Sequence, residues 1–312
     1  SMENMTEEEL QDRIKFEVER IKKNSINRKI HRFVPHVPLN FIFEDLIGIK
    51  NPKEEILEVT KIYSVAGLLP QSHPVIIERP FRSPHHSSSS VALIGGGTHI
   101  RPGEITLAHR GVLFLDEFPE FHRDVIEALR QPMEDGVVQV ARAEEALIFP
   151  ARFILIAASN PCPCGYLNDP QKECSCTPSQ IARYQRKISG PILDRIDIKI
   201  EVPRIGFEKL SSEKVAEESK KIQERATRAR KKQEEHGFIN SEMTIPQIKK
   251  YCKIDITSQD LLRKAMQRLN LSPRSYHKVL KVARTIADLG GKENIERQYL
   301  AEAINYQEKQ DY

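Results

Sequence analysis

The chain has 312 residues, of which 39% are hydrophobic and 29% are charged, a composition ordinary for a globular protein large enough for two modest domains. Its longest apolar runs, such as residues 153–158, are far shorter than the ~20 residues that span a bilayer, and its amino terminus lacks a signal-peptide layout, so we expect no membrane role and a cytoplasmic location. The formal charge of +4 is compatible with nucleic-acid binding but too small to argue for it.

The amino-terminal part of the sequence predicts one helix and a linker. Thr6 and Glu9 have capping-box spacing, and the apolar residues that follow recur at helical intervals, which predicts an amphipathic helix over residues 7–23. The basic, proline-punctuated stretch at residues 24–38 is typical of an exposed linker. We therefore assign residues 1–39 to a separate helix-and-linker segment.

The remainder predicts an α/β domain over residues 40–203 and an all-helical domain over residues 204–312. Short apolar runs separated by longer segments indicate a parallel sheet buried on both faces. Beyond the α/β part the sequence becomes highly charged and loses all strand signal. The predicted sheet strands are 112–115, 153–157 and 196–202, and a hairpin is predicted for 137–140 with 146–149.

The first of these strands ends in two adjacent carboxylates, Asp116 and Glu117. Open α/β sheets place their ligands at the carboxyl ends of strands, where one acid can support a Mg²⁺ shell and a second can polarise a water molecule. This layout is shared with the Walker B element of nucleotide hydrolases. The alternative is a strand followed by a solvated acidic turn.

Three further polar residues fit a nucleotide site. Asn160 ends the second predicted strand, as the amide of a sensor 1 strand does, and Arg195 precedes the third, where a guanidinium suits phosphoryl charge in a neighbour's site. Ser272, followed by proline, caps a helix whose first turn carries Arg274, as a sensor 2 arginine would. The alternatives are an ordinary Arg–Asp surface pair and, for Arg274, a solvated basic helix face shared with Lys278 and Lys281.

Four of the five cysteines lie in one short stretch as two Cys-x-Cys pairs separated by nine residues. Structural disulfides are rare in intracellular proteins, and four thiolates suit a tetrahedral structural zinc ion, although this spacing is tighter than in common zinc knuckles. The predicted cluster is Cys162, Cys164, Cys174 and Cys176, with reduced buried thiols or a disulfide as the alternative.

Taken together, the ordered motifs resemble the magnesium-chelatase-like AAA+ ATPases, and in particular the bacterial competence-associated branch. The resemblance covers residues 55–307, and many motifs agree in order and spacing. The motifs that carry it are RPFRSPHH at 79–86, GGG at 95–97, RPGEI at 101–105, the strand before Asp116, NPCPCG at 160–165 and DRID at 194–197.

The resemblance implies an AAA+ core with a helical lid that assembles as a ring, expected to be a homo-hexamer, and a helicase-type ATPase working on branched or single-stranded DNA in natural transformation. It implies ATP with Mg²⁺ as cofactors, with Asp116 holding Mg²⁺, Glu117 activating water, Asn160 as sensor 1, Arg195 as a trans-acting finger and Arg274 as a nucleotide-contacting sensor 2. By the same resemblance Arg101 and Arg142 face the ring pore and bind DNA. The adjacent His85 and His86 are expected to be structural or hydrogen-bonding, with a catalytic or metal-binding role as the alternative.

The sequence departs from the family where the phosphate-binding P-loop should lie. None of the fourteen glycines belongs to a G-x-x-x-x-G-K-S/T motif, and residues 95–97 lack the lysine and hydroxyl that phosphate and Mg²⁺ require. Either the printed sequence omits residues of the protein, or the chain is a non-hydrolysing scaffold or DNA-binding relative. In both cases we expect the printed chain not to bind ATP.

Overall fold

The computed structural model describes residues 31–32, 53–69, 75–97, 100–141, 146–169, 171–202 and 217–307. The helix expected over residues 7–23, the linker after it, the domain boundary near residue 203 and Arg142 all lie outside these ranges. The domain limits therefore stay predictions.

Strands and helices alternate in the first part of the described chain, and helices alone follow. The strands are β1 His31–Arg32, β2 Phe81–Arg82, β3 Gly95–Gly96, β4 Arg101–Pro102, β5 Val112–Leu115, β6 Val137–Ala141, β7 Ala146–Pro150, β8 Ile154–Ser159 and β9 Ile200–Glu201. The helices are α1 Lys53–Ala66, α2 Ser90–Ile94, α3 Glu104–Leu107, α4 Arg123–Ala128, α5 Arg130–Asp135, α6 Pro178–Gln185, α7 Gly190–Leu193, α8 Ser219–Glu234, α9 Ile245–Tyr251, α10 Ile256–Arg268, α11 Pro273–Leu289 and α12 Arg297–Asn305.

The central sheet has the strand order β2-β5-β8-β1-β9. Strands β2, β5 and β8 are parallel, with Phe81 opposite Val112 and Val112 opposite Ile154. Val112 and Ile156 are almost fully buried, as expected for parallel strands covered on both faces. This confirms the predicted α/β core with a parallel sheet, and the helices after residue 217 confirm the helical carboxyl-terminal part.

A short antiparallel strand occupies the side of β8 that faces away from β5. In β1, His31 pairs with Ser159 of β8 on one side and with Glu201 of β9 on the other. An unpaired inner edge would expose backbone N–H and C=O groups. Over these two residues, β1 covers that edge of β8.

The third predicted strand, residues 196–202, is mostly not a strand. Only Ile200–Glu201 pairs, and it pairs with β1. The preceding backbone bonds to the helical part instead: the Ile196 carbonyl accepts a hydrogen bond from Lys278 Nζ at 2.6 Å, and the Lys199 N–H donates to the Tyr306 carbonyl at 3.3 Å. These bonds hold residues 196–199 as an extended link rather than as a sheet strand.

Two hydrophobic cores organise the described residues. The larger core of the α/β part lies between the sheet, α2 to α5 and the predicted hairpin, which is confirmed as β6–β7. Val138 and Val140 of β6 are buried in it, whereas Ile148 of β7 is 67% exposed. The second core surrounds α11, whose Val279, Ala283 and Ala287 are fully buried against neighbouring helices.

Local sequence signals explain where the helices begin. Thr177 and Gln180 form a reciprocal capping box at α6, and Thr244 and Gln247 do so at α9. At α11, the Ser272 hydroxyl accepts the Ser275 N–H at 3.2 Å, and proline occupies the first helical position. These caps fix the starting points of three helices, of which α11 carries the candidate site residue Arg274.

Candidate functional site

Asp116, Glu117 and Asn160 lie at one edge of the sheet. Leu115 is directly opposite Ala157 in the parallel β5–β8 pair, so the polar residues after both strands emerge at the same carboxyl end. Asp116 is exposed, while Glu117 and Asn160 are half-buried. The structure therefore gathers the three side chains that sequence reasoning assigned to one site.

The turn after β5 orients the two carboxylates differently. Glu117 adopts a left-handed conformation with φ 53°, which is uncommon for a residue with a side chain, and its N–H donates to Asp116 Oδ1 at 2.9 Å. A turn that places consecutive acids on different trajectories lets one face a cation while the other faces a nearby water molecule. This strained local geometry is consistent with a functional turn.

His86 contacts the second acid of the pair. Its Nδ1 lies 3.0 Å from Glu117 Oε2, and its ring stacks at 4.1 Å on His85 and meets Phe121 edge-on. We expected the two histidines to be structural or hydrogen-bonding, and this contact is of that kind, although its partner was not predicted. The position of the histidines in the sequence could have indicated the contact, because they follow β2, and β2 lies next to the strand β5 that ends before Asp116 and Glu117.

Arginine residues of the RPFRSPHH motif hold β2 in place against neighbouring elements. Arg82 binds Glu104 through two hydrogen bonds of 2.6 Å, a bidentate guanidinium–carboxylate pair that raises the pKa of Arg82. Buried Arg79 donates to Glu55 at 2.9 Å and to the Arg110 carbonyl. These pairs fix β2, and hence His86, against the strand that ends in Asp116.

Arg195 and Arg274 meet on a single carboxylate. Glu134 of α5 accepts a hydrogen bond from Arg195 through Oε2. Its other oxygen, Oε1, forms an ion pair with Arg274 Nη1 at 3.0 Å. Arg195 also donates to the Pro191 carbonyl at 2.8 Å, which folds its side chain back along α7. The Arg195 side chain is only 15% exposed. Hydrogen bonding to the Arg195 guanidinium is the main reason that the pKa of Glu134 is lowered.

Helix α11 holds the loop that carries Arg195 at a second point. Lys278, one turn after Arg274, is buried and donates to the carbonyl of Ile196. Burial lowers the pKa of Lys278 from its ordinary value to about 8, against a partial compensation from the negative charge of Asp197. The expected alternative of a solvated basic face is therefore wrong for Lys278, while Arg274 itself is exposed.

The candidate DNA residue Arg101 is exposed on a two-stranded hairpin. Strands β3 and β4 pair Gly96 with Arg101, and successive glycines at 95–97 all have positive φ. A Cβ at Gly95 would lie 2.5 Å from the Arg101 carbonyl, so the hairpin requires glycine there. A Cβ at Gly96 would lie 3.7 Å from Val140 of β6, which places this hairpin beside the β6–β7 hairpin.

The four predicted cysteines converge. Their sulfur atoms all lie within 4.8 Å of one another, with separations of 3.4 Å for Cys162–Cys164, 3.5 Å for Cys164–Cys174 and 3.7 Å for Cys162–Cys174. All are free thiols. Burial raises the pKa of Cys164, but N–H groups of Tyr166 and Ser175 and the neighbouring thiols lower it to about 5. The arrangement can hold a metal ion.

Across the residues that the structure describes, no helix is both long and apolar enough to cross a bilayer.

A parallel α/β sheet followed by a helical part is the architecture of an AAA+ core with its helical domain. Comparison with known families agrees with it. The family model described as "Magnesium chelatase, subunit ChlI" matches residues 44–210, and the model "Magnesium chelatase, subunit ChlI C-terminal" matches residues 216–307. The chain belongs to this magnesium-chelatase-like family.

Individual relatives extend the comparison. The chain is 47% identical over 231 residues to "Competence protein ComM" of Haemophilus influenzae, a match covering 73% of this chain and 45% of that protein. It is 43% identical to the protein YifB of Escherichia coli, a match that covers 73% of this chain and 45% of that protein. It is 29% identical over 146 residues to "Magnesium-chelatase subunit ChlI" of Euglena gracilis, a match that covers 45% of this chain and 39% of that protein. The chain spans about half the length of the curated relatives it matches most strongly.

Proposed function

We propose that this chain is the motor module of a ring-forming, homo-hexameric AAA+ protein of the helicase type that acts on DNA in recombination during natural transformation. The observation that carries the proposal is the pairing of two groups of residues: the acids and amide at the carboxyl edge of β5 and β8, and the two arginines on Glu134. The name of the Haemophilus relative, a competence protein, supports the biological setting.

In this proposal the edge of the sheet is the catalytic face of an ATP site. Asp116, exposed at the end of β5, would supply a carboxylate to Mg²⁺. Glu117, whose carboxylate His86 contacts, would polarise the attacking water, and Asn160 would orient that water. The Mg²⁺ of bound Mg-ATP would neutralise charge on the phosphates. These donors fit one side of such a site, but the amides, lysine and hydroxyl of a phosphate cradle are absent from the sequence.

Arg195 is proposed as a finger that reaches the site of a neighbouring subunit, with Arg274 as sensor 2 beside it. Guanidinium groups stabilise phosphoryl charge, and a finger is typically worth about 10³ to 10⁵ in rate. Glu134, whose carboxylate the two arginines share, keeps their charges together at one place. In a version of the protein that contains a P-loop, Arg195→Ala should lower the ATPase rate by about that factor, while the rate should be unchanged for Lys264→Ala, an exposed control on α10. Full activity of Arg195→Ala would remove the finger assignment.

For the printed chain we propose that ATP does not bind with physiological affinity. Without a phosphate cradle, Asp116 and Glu117 present like charges to a polyphosphate, and a metal ion between them has only part of its protein shell. Isothermal titration of the 312-residue chain, verified at 35.8 kDa by intact mass, with Mg-ATP should show no heat of binding. Micromolar affinity would mean that the phosphates sit elsewhere, and a mass several kilodaltons larger would mean that the P-loop segment exists but is missing from the printed sequence.

DNA binding is proposed at the two adjacent hairpins, through Arg101 and Arg142. Cationic side chains on pore loops can follow a phosphate backbone without reading sequence. Arg101→Glu combined with Arg142→Glu should weaken single-stranded DNA binding in low salt and reduce the slope of log affinity against log salt, by about 0.7 for each phosphate that the variant no longer neutralises. Arg263→Glu, on an arginine that is 72% exposed on α10, is the matched control. Unchanged binding by the hairpin variant would place the DNA surface elsewhere.

A second candidate function is a non-hydrolysing scaffold or DNA-binding member of the family. The absence of a G-x-x-x-x-G-K-S/T motif is the observation that favours it. Ring assembly and DNA binding would then persist without any nucleotide dependence, which analytical ultracentrifugation and DNA titration with and without Mg-ATP would reveal. For the four thiolates, the ion that we propose is Zn²⁺, because soft sulfur donors in tetrahedral array select it.

A further inference from the structure

The four-cysteine cluster lies at the two ends of one loop, and that loop connects Asn160 to α6. Cys162 and Cys164 follow Asn160 directly along the chain, and Cys174 and Cys176 directly precede the cap of α6 at Thr177. One ion bound by all four sulfur atoms would therefore close the loop and join the end of strand β8 to the start of helix α6.

The sulfur positions fit tetrahedral coordination. Zn²⁺ bonds thiolate sulfur at about 2.3 Å, which separates the sulfur atoms of a regular tetrahedron by about 3.8 Å. The sulfur separations among Cys162, Cys164 and Cys174 are 3.4 to 3.7 Å, which is close to this spacing and far beyond a disulfide bond of about 2.0 Å, and the Cys176 sulfur lies within 4.8 Å of the other three. Cys162 is fully buried and the other three are half-buried, so the cluster has a protected inner side and an open outer side.

The other contacts of this loop are local. Its backbone hydrogen bonds are turns, such as Gly165 N–H to the Cys162 carbonyl at 3.0 Å and Asp169 N–H to the Tyr166 carbonyl at 3.0 Å. Within the loop, Asp169 Oδ1 accepts the Lys172 N–H at 3.2 Å, and Lys172 Nζ lies 3.9 Å from the centre of the Tyr166 ring. A metal ion would join the two ends of the segment, which these local contacts do not do.

The same segment surrounds Asn160. Gly165 has φ +81°, and its turn brings it back until an added Cβ would lie 3.9 Å from the Asn160 side chain. On α6, the buried Tyr184 side chain lies near the backbone of Asn160, and burial raises the pKa of that tyrosine. Asn160 is therefore flanked by the loop turn on one side and by the helix that follows the loop on the other.

We infer that Cys162, Cys164, Cys174 and Cys176 bind one Zn²⁺ and that this ion positions Asn160 by clamping its loop and α6 to the end of β8. Bound to the ion, all four sulfur atoms are thiolates, and the protons that the thiols still carry pass to solvent. The importance of Asn160 for catalysis rests on the proposed function, whereas the metal site and its effect on the order of the loop do not.

Metal analysis of the intact chain, purified under reducing conditions without chelator, is the first test. We expect one Zn²⁺ per chain, retained by the matched control Cys252→Ala, whose thiol is buried in the helical core, and lowered by at least tenfold in Cys174→Ser and Cys176→Ser. Co²⁺ added to the apo chain should give the charge-transfer and intense d–d absorption of tetrahedral thiolate coordination. A chain without zinc that also yields no such spectrum, or one in which the four cysteines are oxidised in reducing buffer, would overturn the inference.

Hydrogen exchange measured by mass spectrometry tests the positioning role and needs neither ATP nor DNA. Removing zinc from the wild-type chain should accelerate exchange at least tenfold in peptides covering residues 154–166 and 177–185, and adding Zn²⁺ back should restore protection. Peptides of α11 serve as an internal control and should not change. If zinc is present but its removal leaves exchange near Asn160 unaltered, the ion does not position that residue. Because neither measurement involves nucleotide, a failure of the proposed ATPase function would leave these results intact.

Discussion

Replacement of Lys278 by methionine tests whether α11 holds the Arg195 loop through a buried lysine. The Lys278 side chain is buried, and its ammonium group donates to the Ile196 carbonyl. Methionine keeps most of the apolar stem but removes both the titrating group and the hydrogen-bond donor. The variant therefore isolates the pH dependence that burial of this one ammonium group produces.

The size of the effect follows from the pKa. Burial lowers the pKa of Lys278 from 10.5 to about 8 in the folded chain. The unfolded chain therefore binds more protons between pH 8 and pH 10.5, and stability rises with pH across that window; the gain is complete above pH 10.5 and is lost as pH falls through 8. From pH 7 to pH 9.5 the wild-type chain should gain about 2 kcal/mol relative to Lys278→Met.

At pH 7 the two proteins should be nearly equally stable. In the wild-type chain, burying the charged ammonium group costs about 3 kcal/mol, as the lowered pKa of Lys278 implies, and the variant avoids this cost. The variant, however, leaves the Ile196 carbonyl without a hydrogen-bond donor, which costs about 1–3 kcal/mol. The difference should then grow with pH. Urea unfolding followed by far-UV circular dichroism at pH 7.0, 8.0, 9.0 and 9.5 measures it.

The control is Lys264→Met, since Lys264 of α10 is 71% exposed and pairs only at the surface with Asp260. Its difference from the wild-type chain should stay constant over the same pH range. If the Lys278→Met and wild-type curves also remain parallel between pH 7 and 9.5, Lys278 does not titrate as a buried lysine, and the contact between α11 and the Arg195 loop is refuted.

Three further predictions concern the framework of the site. Gly111→Ala should destabilise the core by about 3 kcal/mol or more, because a Cβ there would lie 1.9 Å from the Pro80 carbonyl oxygen beside the β2–β5 pair. The control Gly190→Ala, where nothing lies within 4 Å of the added Cβ, should change the thermal midpoint little. Equal midpoints for the two variants would contradict the tight strand contact. Arg284→Ala should lower the free energy of unfolding in urea by about 3–5 kcal/mol, because it leaves the buried Asp288 carboxylate without its guanidinium partner. A loss below about 1 kcal/mol would show that Asn240 and Lys232 are enough to stabilise this carboxylate. Glu242→Gln should lower the free energy of unfolding by less than about 1 kcal/mol, since Glu242 forms surface ion pairs with Arg110 and Arg152. A larger loss would mean that these ion pairs join the helical part to the core more strongly than their exposure indicates.

The residues at strand ends could be predicted from the sequence because their chemistry depends on backbone topology alone. Apolar runs before Asp116 and Asn160 identify two buried strands, and parallel pairing brings the ends of neighbouring strands to one edge whatever the side chains do. The convergence of the four cysteines was predicted for a similar reason: two closely spaced pairs on one short loop can meet with little chain closure cost.

Side-chain partnerships across long sequence separations could not be predicted in this way. Glu134 is one of two adjacent acids at the end of α5, and nothing near it in the sequence marks it as the residue that Arg195 and Arg274 share. The same holds for His86, whose contact with Glu117 requires knowing that β2 lies next to β5. Each contact depends on which faces of distant elements meet, and that is decided by packing rather than by local pattern.

The helix that carries Arg274 shows how a correct pattern can lead to a wrong environment. Arg274, Lys278 and Lys281 share one face of α11, as their spacing predicts, and an amphipathic helix ordinarily turns such a face to water. In this fold Lys278 meets the link after Arg195 and donates to the Ile196 carbonyl, whereas Lys281 donates to the Ser241 carbonyl of the helical part at 2.8 Å. Periodicity distinguishes the polar face of a helix from its apolar face, but a long cationic side chain can satisfy its ammonium group on a backbone carbonyl as well as in water. The burial of Lys278 is therefore a property of how the helical part docks on the core, and the pH dependence of its stability is a direct measure of that docking.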